Sequence, residues 1–147
     1  MKTFRDNAGR EWAIEVTVAA VKRVRSLIQV DLLEAADGKL LEKLASDPVL
    51  LCDVVFCLVQ PEAKAKGISD EDFGRGLAGE AIERATSAFL EELVDFFPPA
   101  RRRLLSKALG KLRLLETKAF AVAEKRLDSP ELDQELERLL APPITGG

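Results

Sequence analysis

The densest run of apolar residues lies at positions 48–60, in the sequence PVLLCDVVFCLVQ. Ten of these thirteen residues are Val, Leu, Cys or Phe, and at helical spacing they fall on every side. A helix that is apolar all round belongs inside a protein, and thirteen residues are too few for a bilayer span, which needs about 20. We therefore expect a buried central helix, capped by Asp47, with Pro48 in its first turn and Gln60-Pro61 at its end.

A pattern of period two, typical of a strand with one buried face, occurs near the start of the chain. Trp12, Ile14 and Val16 alternate with their neighbours, and the turn sequence DNAG at 6–9 separates them from a first strand around Phe4. These features predict an antiparallel β-hairpin that packs on the helices. Trp12 is interpreted as a packing anchor rather than a ligand-stacking residue, because aromatic side chains dominate core energetics.

From residue 17 onwards, apolar positions recur every three or four residues, which predicts helices with N-caps at Thr17, Ser69 and Ser129. The expected segments are 18–29, 39–46, 69–97, 100–127 and 130–140, with a polar loop or frayed turn at 62–67. The segment 100–127 has the apolar stripe Leu105, Ala108, Leu112, Leu115, Ala119 and Val122. The glycines in FGRGLAG indicate close packing or a distorted turn, since the Lys-Ser/Thr of a phosphate-binding P-loop is missing.

The predicted fold class is mainly α: a compact helical domain around a buried central helix, with a small N-terminal β-hairpin. A chain of 147 residues suits one domain with its own core. We expect a single domain over 1–140, with the hairpin at 1–16 and helices at 17–140. The last residues, 141–147, read APPITGG and are expected to form a flexible tail.

Composition narrows the environment of the protein. The net charge of −3 argues against general nucleic-acid binding. The first ten residues are polar and charged, so no secretory signal and no membrane association are predicted. Two isolated cysteines, five residues apart on one helix, suit a reducing compartment. These features indicate the cytoplasm.

Charge is segregated along the helical part of the chain. Residues 69–95 carry a net charge of −6, residues 98–126 of +7 and residues 127–147 of −4. Alternating signs favour antiparallel neighbours whose solvated edges attract each other. The alternative is a nucleic-acid patch formed by Arg101, Arg102, Arg103, Lys107 and Lys111. Because no aromatic residues are interleaved with them, the solvated-face interpretation is favoured.

The sequence offers few groups for catalysis. It contains no His and no Tyr, which removes the commonest general base and metal ligand. Asp53 stands within the apolar helix and is interpreted as a buried acid paired with an Arg or Lys. Cys57 has no visible base to activate it, and the acids at 70–72 lack the spacing of a calcium loop. We expect no enzymatic activity, no metal site and no cofactor.

Several stretches, taken in order, resemble one known family. FRDNAGREW leads into VKRVRSLIQVDLLE, followed by DPVLLCDVVFCLVQPEA, GISDEDFGRGLAG and FLEELVDFFP. This order of a central apolar helix, a Ser-x-x-Asp-Phe cap and a Phe-Phe-Pro stop is similar to the tail assembly chaperones of long-tailed phages and prophages. The resemblance covers about residues 4–103. The basic helix and the acidic C-terminus are not part of the family pattern.

The resemblance implies a non-enzymatic protein of the bacterial host cytoplasm. Its function would be to bind the apolar tape measure protein and keep it soluble during tail assembly, with the tail tube protein as a further partner. Capture would use helix-in-groove contacts. Two alternatives stay open: a nucleic-acid-associated regulator that uses the basic helix at 101–113, and a structural subunit that self-associates as a homo-oligomer.

The client surface is expected at the turn after residue 97. Phe96 and Phe97 are about 100° apart on a helix, so one inward stripe does not easily hold both. Phe96 continues the buried series, and Phe97 is therefore expected to be partly exposed. Leu104 and Leu114 fall beside the stripe of the next helix and complete the predicted partner-binding set, because an apolar patch marks partner sites. The opposite interpretation, with both phenylalanines capping the core, also stays open.

Overall fold

The computed structural model describes residues 1–141, so the predicted tail beyond Ala141 lies outside the described residues. Helix accounts for 76% of the structure. Two short strands, β1 (Lys2–Arg5) and β2 (Glu11–Ile14), form an antiparallel hairpin in which Phe4 pairs with Trp12. The predicted fold class, mainly α with a small N-terminal β-hairpin, is confirmed.

Helices make up the remaining elements of the described chain. They are α1 (Val18–Ile28), a 3₁₀ helix (Leu32–Asp37), α2 (Lys39–Ser46), α3 (Pro48–Lys66), α4 (Asp70–Arg75), α5 (Glu80–Phe96), α6 (Pro99–Leu127) and α7 (Pro130–Leu140). The side chains of Thr17, Asp47, Ser69 and Ser129 each accept a backbone N–H from the first turn that they precede. All four caps agree with the prediction from the sequence, because a cap depends only on residues within one turn.

Helix α3 is the central buried helix. Its residues Leu51, Val54, Val55 and Val59 are almost fully buried. The predicted end at Gln60-Pro61 is wrong, because the helix passes through Pro61 and ends at Lys66, with Gly67 as its C-cap. Pro61 has no N–H for the Cys57 carbonyl four positions earlier, and Arg23 Nη1 donates to that carbonyl instead, at 3.1 Å. The segment 62–67, expected as a polar loop or a frayed turn, is therefore the end of α3 with its C-cap.

The long helix expected at 69–97 is two helices, α4 and α5, separated at residues 76–79. Gly79 has φ 58° and ψ −129°, a conformation that only glycine adopts without strain. At Gly76 a Cβ atom would lie 3.0 Å from Asp6 Oδ2, and the Asn7 N–H donates to the Gly76 carbonyl at 2.8 Å. The glycines thus let the β-hairpin turn dock against this break, and the contact interrupts the helix.

The hairpin turn is held by a buried carboxylate. Asp6 accepts hydrogen bonds from Trp12 Nε1 at 2.9 Å, from Arg10 Nε at 2.8 Å and from the backbone N–H groups of Ala8 and Arg10. Trp12 is fully buried and meets Phe73 edge to face, with ring centroids 5.2 Å apart. The packing role predicted for Trp12 is confirmed.

Internal packing divides the chain into two compact units, Met1–Leu109 and Gly110–Gly147. In the first, the hairpin, α1 to α5 and the beginning of α6 share one core, from Phe4 to Leu109. In the second, of which the structure describes residues 110–141, the rest of α6 and all of α7 contain no buried residue. A single domain over 1–140 stays a prediction.

Candidate partner-binding site

Phe97 is not available as a partner-binding residue. It is only 2% exposed, and its ring meets Phe96 edge to face at 5.4 Å between centroids. The expectation of partial exposure is wrong because α5 ends at Phe96 and Phe97 has extended backbone angles, φ −78° and ψ 151°. The 100° rotation per residue of a helix therefore does not set the direction of the Phe97 side chain. Its carbonyl accepts a hydrogen bond from Arg102 Nε at 3.3 Å.

The other three residues of the predicted site are accessible. Phe96 is half-buried, which reverses the order expected for the two phenylalanines. Leu104 is exposed in the first unit, and Leu114 is exposed in the second. With Phe97 buried, the patch as predicted loses its central residue. Partner binding by Phe96, Leu104 and Leu114 stays a prediction.

A larger set of exposed apolar residues lies on the second unit. We define the exposed apolar surface as Leu114, Leu115, Phe120, Val122 and Leu127, which are between 54% and 71% exposed. All five belong to the C-terminal part of α6. Leu115 and Val122 continue the same helical stripe that is buried in the first unit at Leu105. A stripe that repeats every three or four residues is built to be covered, and within residues 1–141 it is not.

Helix α7 also presents uncovered leucines. Leu136, Leu139 and Leu140 are exposed, and Leu132 is half-buried. The helix is well defined locally, since Ser129 caps it through the Leu132 N–H at 3.2 Å and Pro130 occupies its first turn. Local signals therefore specify α7, while tertiary burial among the described residues contributes little to it.

The five basic residues of the alternative patch are all exposed: Arg101, Arg102, Arg103, Lys107 and Lys111. Among the described residues, none of them forms an ion pair within 4 Å. Arg102 Nε already donates to the Phe97 carbonyl, whereas the other four exposed side chains are placed to contact an anion, whether a carboxylate of a protein or a phosphate. No aromatic side chain accompanies them between positions 100 and 111, which gives no platform for stacked bases.

Asp53 is an exposed residue and not the buried, paired acid expected from the sequence. Its position on α3 faces a groove of about 340 Å³ that is also lined by Val49, Cys52 and Asp70. Partial burial raises the pKa of Asp53, and the Asp70 and Asp47 carboxylates raise that pKa further. The expectation failed because the helix turns this position towards the edge of the core rather than into it.

The two cysteines are poor nucleophiles. Burial, followed by the nearby Asp53 and Asp70 charges, raises the pKa of the Cys52 thiol to about 11. The same causes raise the pKa of Cys57, which is buried. Both side chains are therefore neutral thiols at neutral pH, and the thiolate is the reactive form. They serve as small apolar side chains of α3.

The structure also bears on membranes and metals, for the part of the chain that it describes. No single helix there is both long and apolar enough to cross a bilayer; α2 and α3 taken together meet the criteria of length and composition, but with a bend of 101° between them. No group of three or more His, Cys, Asp or Glu side chains within residues 1–141 is placed to hold a metal ion.

No family model matches this chain, and comparisons with curated proteins and with solved structures return no match either.

Proposed function

We propose that this protein is a non-enzymatic chaperone that binds an apolar helical client through the exposed apolar surface of its second unit. The observation that carries the proposal is the exposure of Phe120 and Leu127, seven positions apart on one face of a well-formed helix. Exposed apolar patches of this kind mark sites where a partner protein docks. The resemblance of residues 4–103 supplies the particular client, the tape measure protein of a long-tailed phage, in the host cytoplasm.

The surface has more than one side: Leu115 and Val122 share one face of α6, and Phe120 and Leu127 share another. Phe120 and Leu127, about 10 Å apart along the helix at 1.5 Å per residue, form the face that suits an amphipathic client helix. Covering one Leu, Val or Phe side chain contributes about 1.5–3 kcal/mol, and 1.4 kcal/mol corresponds to a tenfold change in affinity. Removal of one large side chain should therefore weaken capture measurably without touching the core of the first unit. The tail tube protein is the second partner in this proposal.

Co-expression with a tape measure fragment tests the proposal. Phe120→Ser should lower the soluble fraction of the fragment, because the substitution removes the largest side chain of the surface. The matched control is Val49→Ser, which removes an equally exposed apolar side chain, 71% in both cases, from α3 in the first unit. If the soluble fraction of the fragment is the same with the wild type, with Phe120→Ser and with Val49→Ser, client capture by this surface is contradicted.

A nucleic-acid-associated regulator is the second candidate, because Arg101, Arg103 and Lys107 are exposed and lack ion pairs in the described chain. Binding of duplex DNA by such a patch depends steeply on salt, with a logarithmic slope of about −0.9 per phosphate contact. A titration at 50 mM and 200 mM salt tests it. Tight binding that weakens at least a hundredfold, and that Lys107→Glu abolishes, would favour the regulator over the chaperone.

A further inference from the structure

Two largely exposed apolar stripes lie on the helices of the second unit. We define the α6 seam as Leu112, Leu115, Ala119 and Val122, and the α7 stripe as Leu132, Leu136 and Leu139. The seam residues are spaced by three, four and three positions, the repeat of two helices that pack side by side. At 1.5 Å per residue, the seam is about 15 Å long and the α7 stripe about 10 Å.

Most of each stripe is exposed within the described chain, and only Leu112 and Leu132 are half-buried. Leu115 and Val122 are more than 60% exposed on the seam, and Leu139 is 74% exposed on α7. An isolated helix shorter than about 12–15 residues is marginal in water, and α7 has eleven residues, none of them buried. Strong local capping specifies α7 as a helix, but a partner is needed to hold it as one.

The charges beside the two stripes are opposite. Lys111 and Lys118 each precede a seam residue directly, and Lys125 repeats their spacing of seven, so the three lysines follow one edge of the seam. On α7, Glu131 and Glu135 follow the corresponding edge of its stripe. In an antiparallel pair these two edges face each other, so the lysines would meet the glutamates.

We propose that a second copy of this chain covers these surfaces: α7 of each copy packs antiparallel on the α6 seam of the other. The contact is reciprocal, as in an isologous dimer with two-fold symmetry, because each copy carries both halves. An antiparallel pairing of two α6 seams would instead set one row of lysines against the other, which costs free energy. The dimer covers Leu115 and Val122 of the exposed apolar surface, whereas Leu114, Phe120 and Leu127 lie outside the seam and stay accessible to a client.

Sedimentation of the full-length protein over a range of concentrations tests the proposal. The wild type should reach twice the chain mass of 16.1 kDa, and dissociation should increase with salt because ion pairs on an exposed edge are screened. Glu135→Lys should weaken the dimer about tenfold, because two symmetric contacts change sign together. Glu137→Lys is the matched control: it makes the same charge change on the outer side of α7 and should leave the dimer intact.

The charge-swapped double variant identifies the contact itself. Lys118→Glu should weaken the dimer as Glu135→Lys does, and Lys118→Glu combined with Glu135→Lys should restore it. A monomer at every concentration overturns the proposal, whether α7 folds back on its own α6 or waits for another protein. A dimer that Glu135→Lys leaves unchanged overturns it too, since the contact would then not involve α7.

This inference does not rest on client capture, and the two fail separately. Loss of dimerisation is measured with Glu135→Lys on the isolated protein, and loss of client capture with Phe120→Ser in co-expression. Helical circular dichroism confirms that each variant is folded. If the protein is a dimer but does not solubilise a tape measure fragment, the contact between two copies is supported and the chaperone function is contradicted. If it is a monomer that does solubilise the fragment, the chaperone function is supported and the contact between two copies is contradicted.

Discussion

Asp6 shows how one side chain fixes the position of the hairpin. Burial alone raises the pKa of its carboxyl, but hydrogen bonds from Trp12 and from the Arg10 backbone and guanidinium, together with the Arg10 charge, outweigh burial and leave that pKa below its ordinary value. The Asp6 side chain is fully buried beside Arg10, its partner at 2.8 Å. Removing these hydrogen-bond donors would leave the Asp6 charge buried and unpaired, which costs free energy.

Replacing Asp6 with Asn should lower the free energy of unfolding at pH 7 by about 1.5–3 kcal/mol, the range for hydrogen bonds to charged groups. Because the pKa of Asp6 is lowered by folding, its contribution is present above its unfolded pKa of about 4 and is lost as the pH falls through the folded pKa. The difference between wild type and Asp6→Asn should therefore shrink below about pH 4. Urea titrations at pH 7 and pH 3 measure it.

Asp31→Asn is the control for this pH dependence. The hydrogen bond from Arg25 lowers the pKa of Asp31 too, but the pair is partly exposed, with 2.9 Å between Arg25 Nη2 and Asp31 Oδ1. Its loss should cost less than about 1 kcal/mol at pH 7. If Asp31→Asn destabilises the fold as much as Asp6→Asn, burial is not what makes Asp6 important.

Phe97 provides the second prediction at this scale. Because its ring is buried, Phe97→Ala should lower the free energy of unfolding by about 3–5 kcal/mol. Phe96→Ala should cost clearly less, since the Phe96 ring is only half-buried. Chemical denaturation of both variants measures the difference. An equal or larger cost at Phe96 would mean that the order of burial at the end of α5 is reversed.

At the scale of the elements, the break between α4 and α5 depends on glycine. Gly79→Ala should destabilise the fold by about 1–3 kcal/mol, because a Cβ atom strains its backbone conformation. Gly74→Ala is the matched control, since Gly74 lies within α4 and a Cβ there meets nothing within 4 Å. It should stabilise by up to about 1 kcal/mol through helix propensity. Thermal unfolding measures the stability of both variants. If both substitutions stabilise the fold, or both destabilise it, the requirement for glycine at the break between α4 and α5 is contradicted.

At the scale of the whole molecule, the buried core and the proposed partner-binding surface lie in different parts of the chain. All residues that are buried in the described structure lie between Phe4 and Leu109. A chain that ends after Leu109 should keep one cooperative unfolding transition, with a free energy of unfolding within about 1 kcal/mol of the full chain. It should also lose client capture and self-association. Loss of cooperative unfolding, measured by circular dichroism in urea, would show that residues 110–147 are needed for the core.

The fold was predictable where the signal is local or averaged over a whole element. The period of two predicted the hairpin, and apolar residues on all sides of 48–60 predicted the buried α3. The N-caps at Thr17, Asp47 and Ser69 agree with the structure because a side chain and the N–H groups of the next turn decide them. The exposure of Leu114 also agrees with its place beside the helical stripe.

The end of α3, the break before α5, the direction of Phe97 and the environment of Asp53 could not be predicted, because residues far apart in sequence decide them. The Asn7 side chain reaches the Ala78 carbonyl at 3.0 Å, 71 positions away, and the hairpin docks there where helix periodicity predicts a continuous helix. The inward stripe of α6 is a similar case. Sequence determined that Leu105, Leu115 and Val122 share one face, whereas the tertiary structure decided that only Leu105 is covered, because the core of the first unit ends at Leu109.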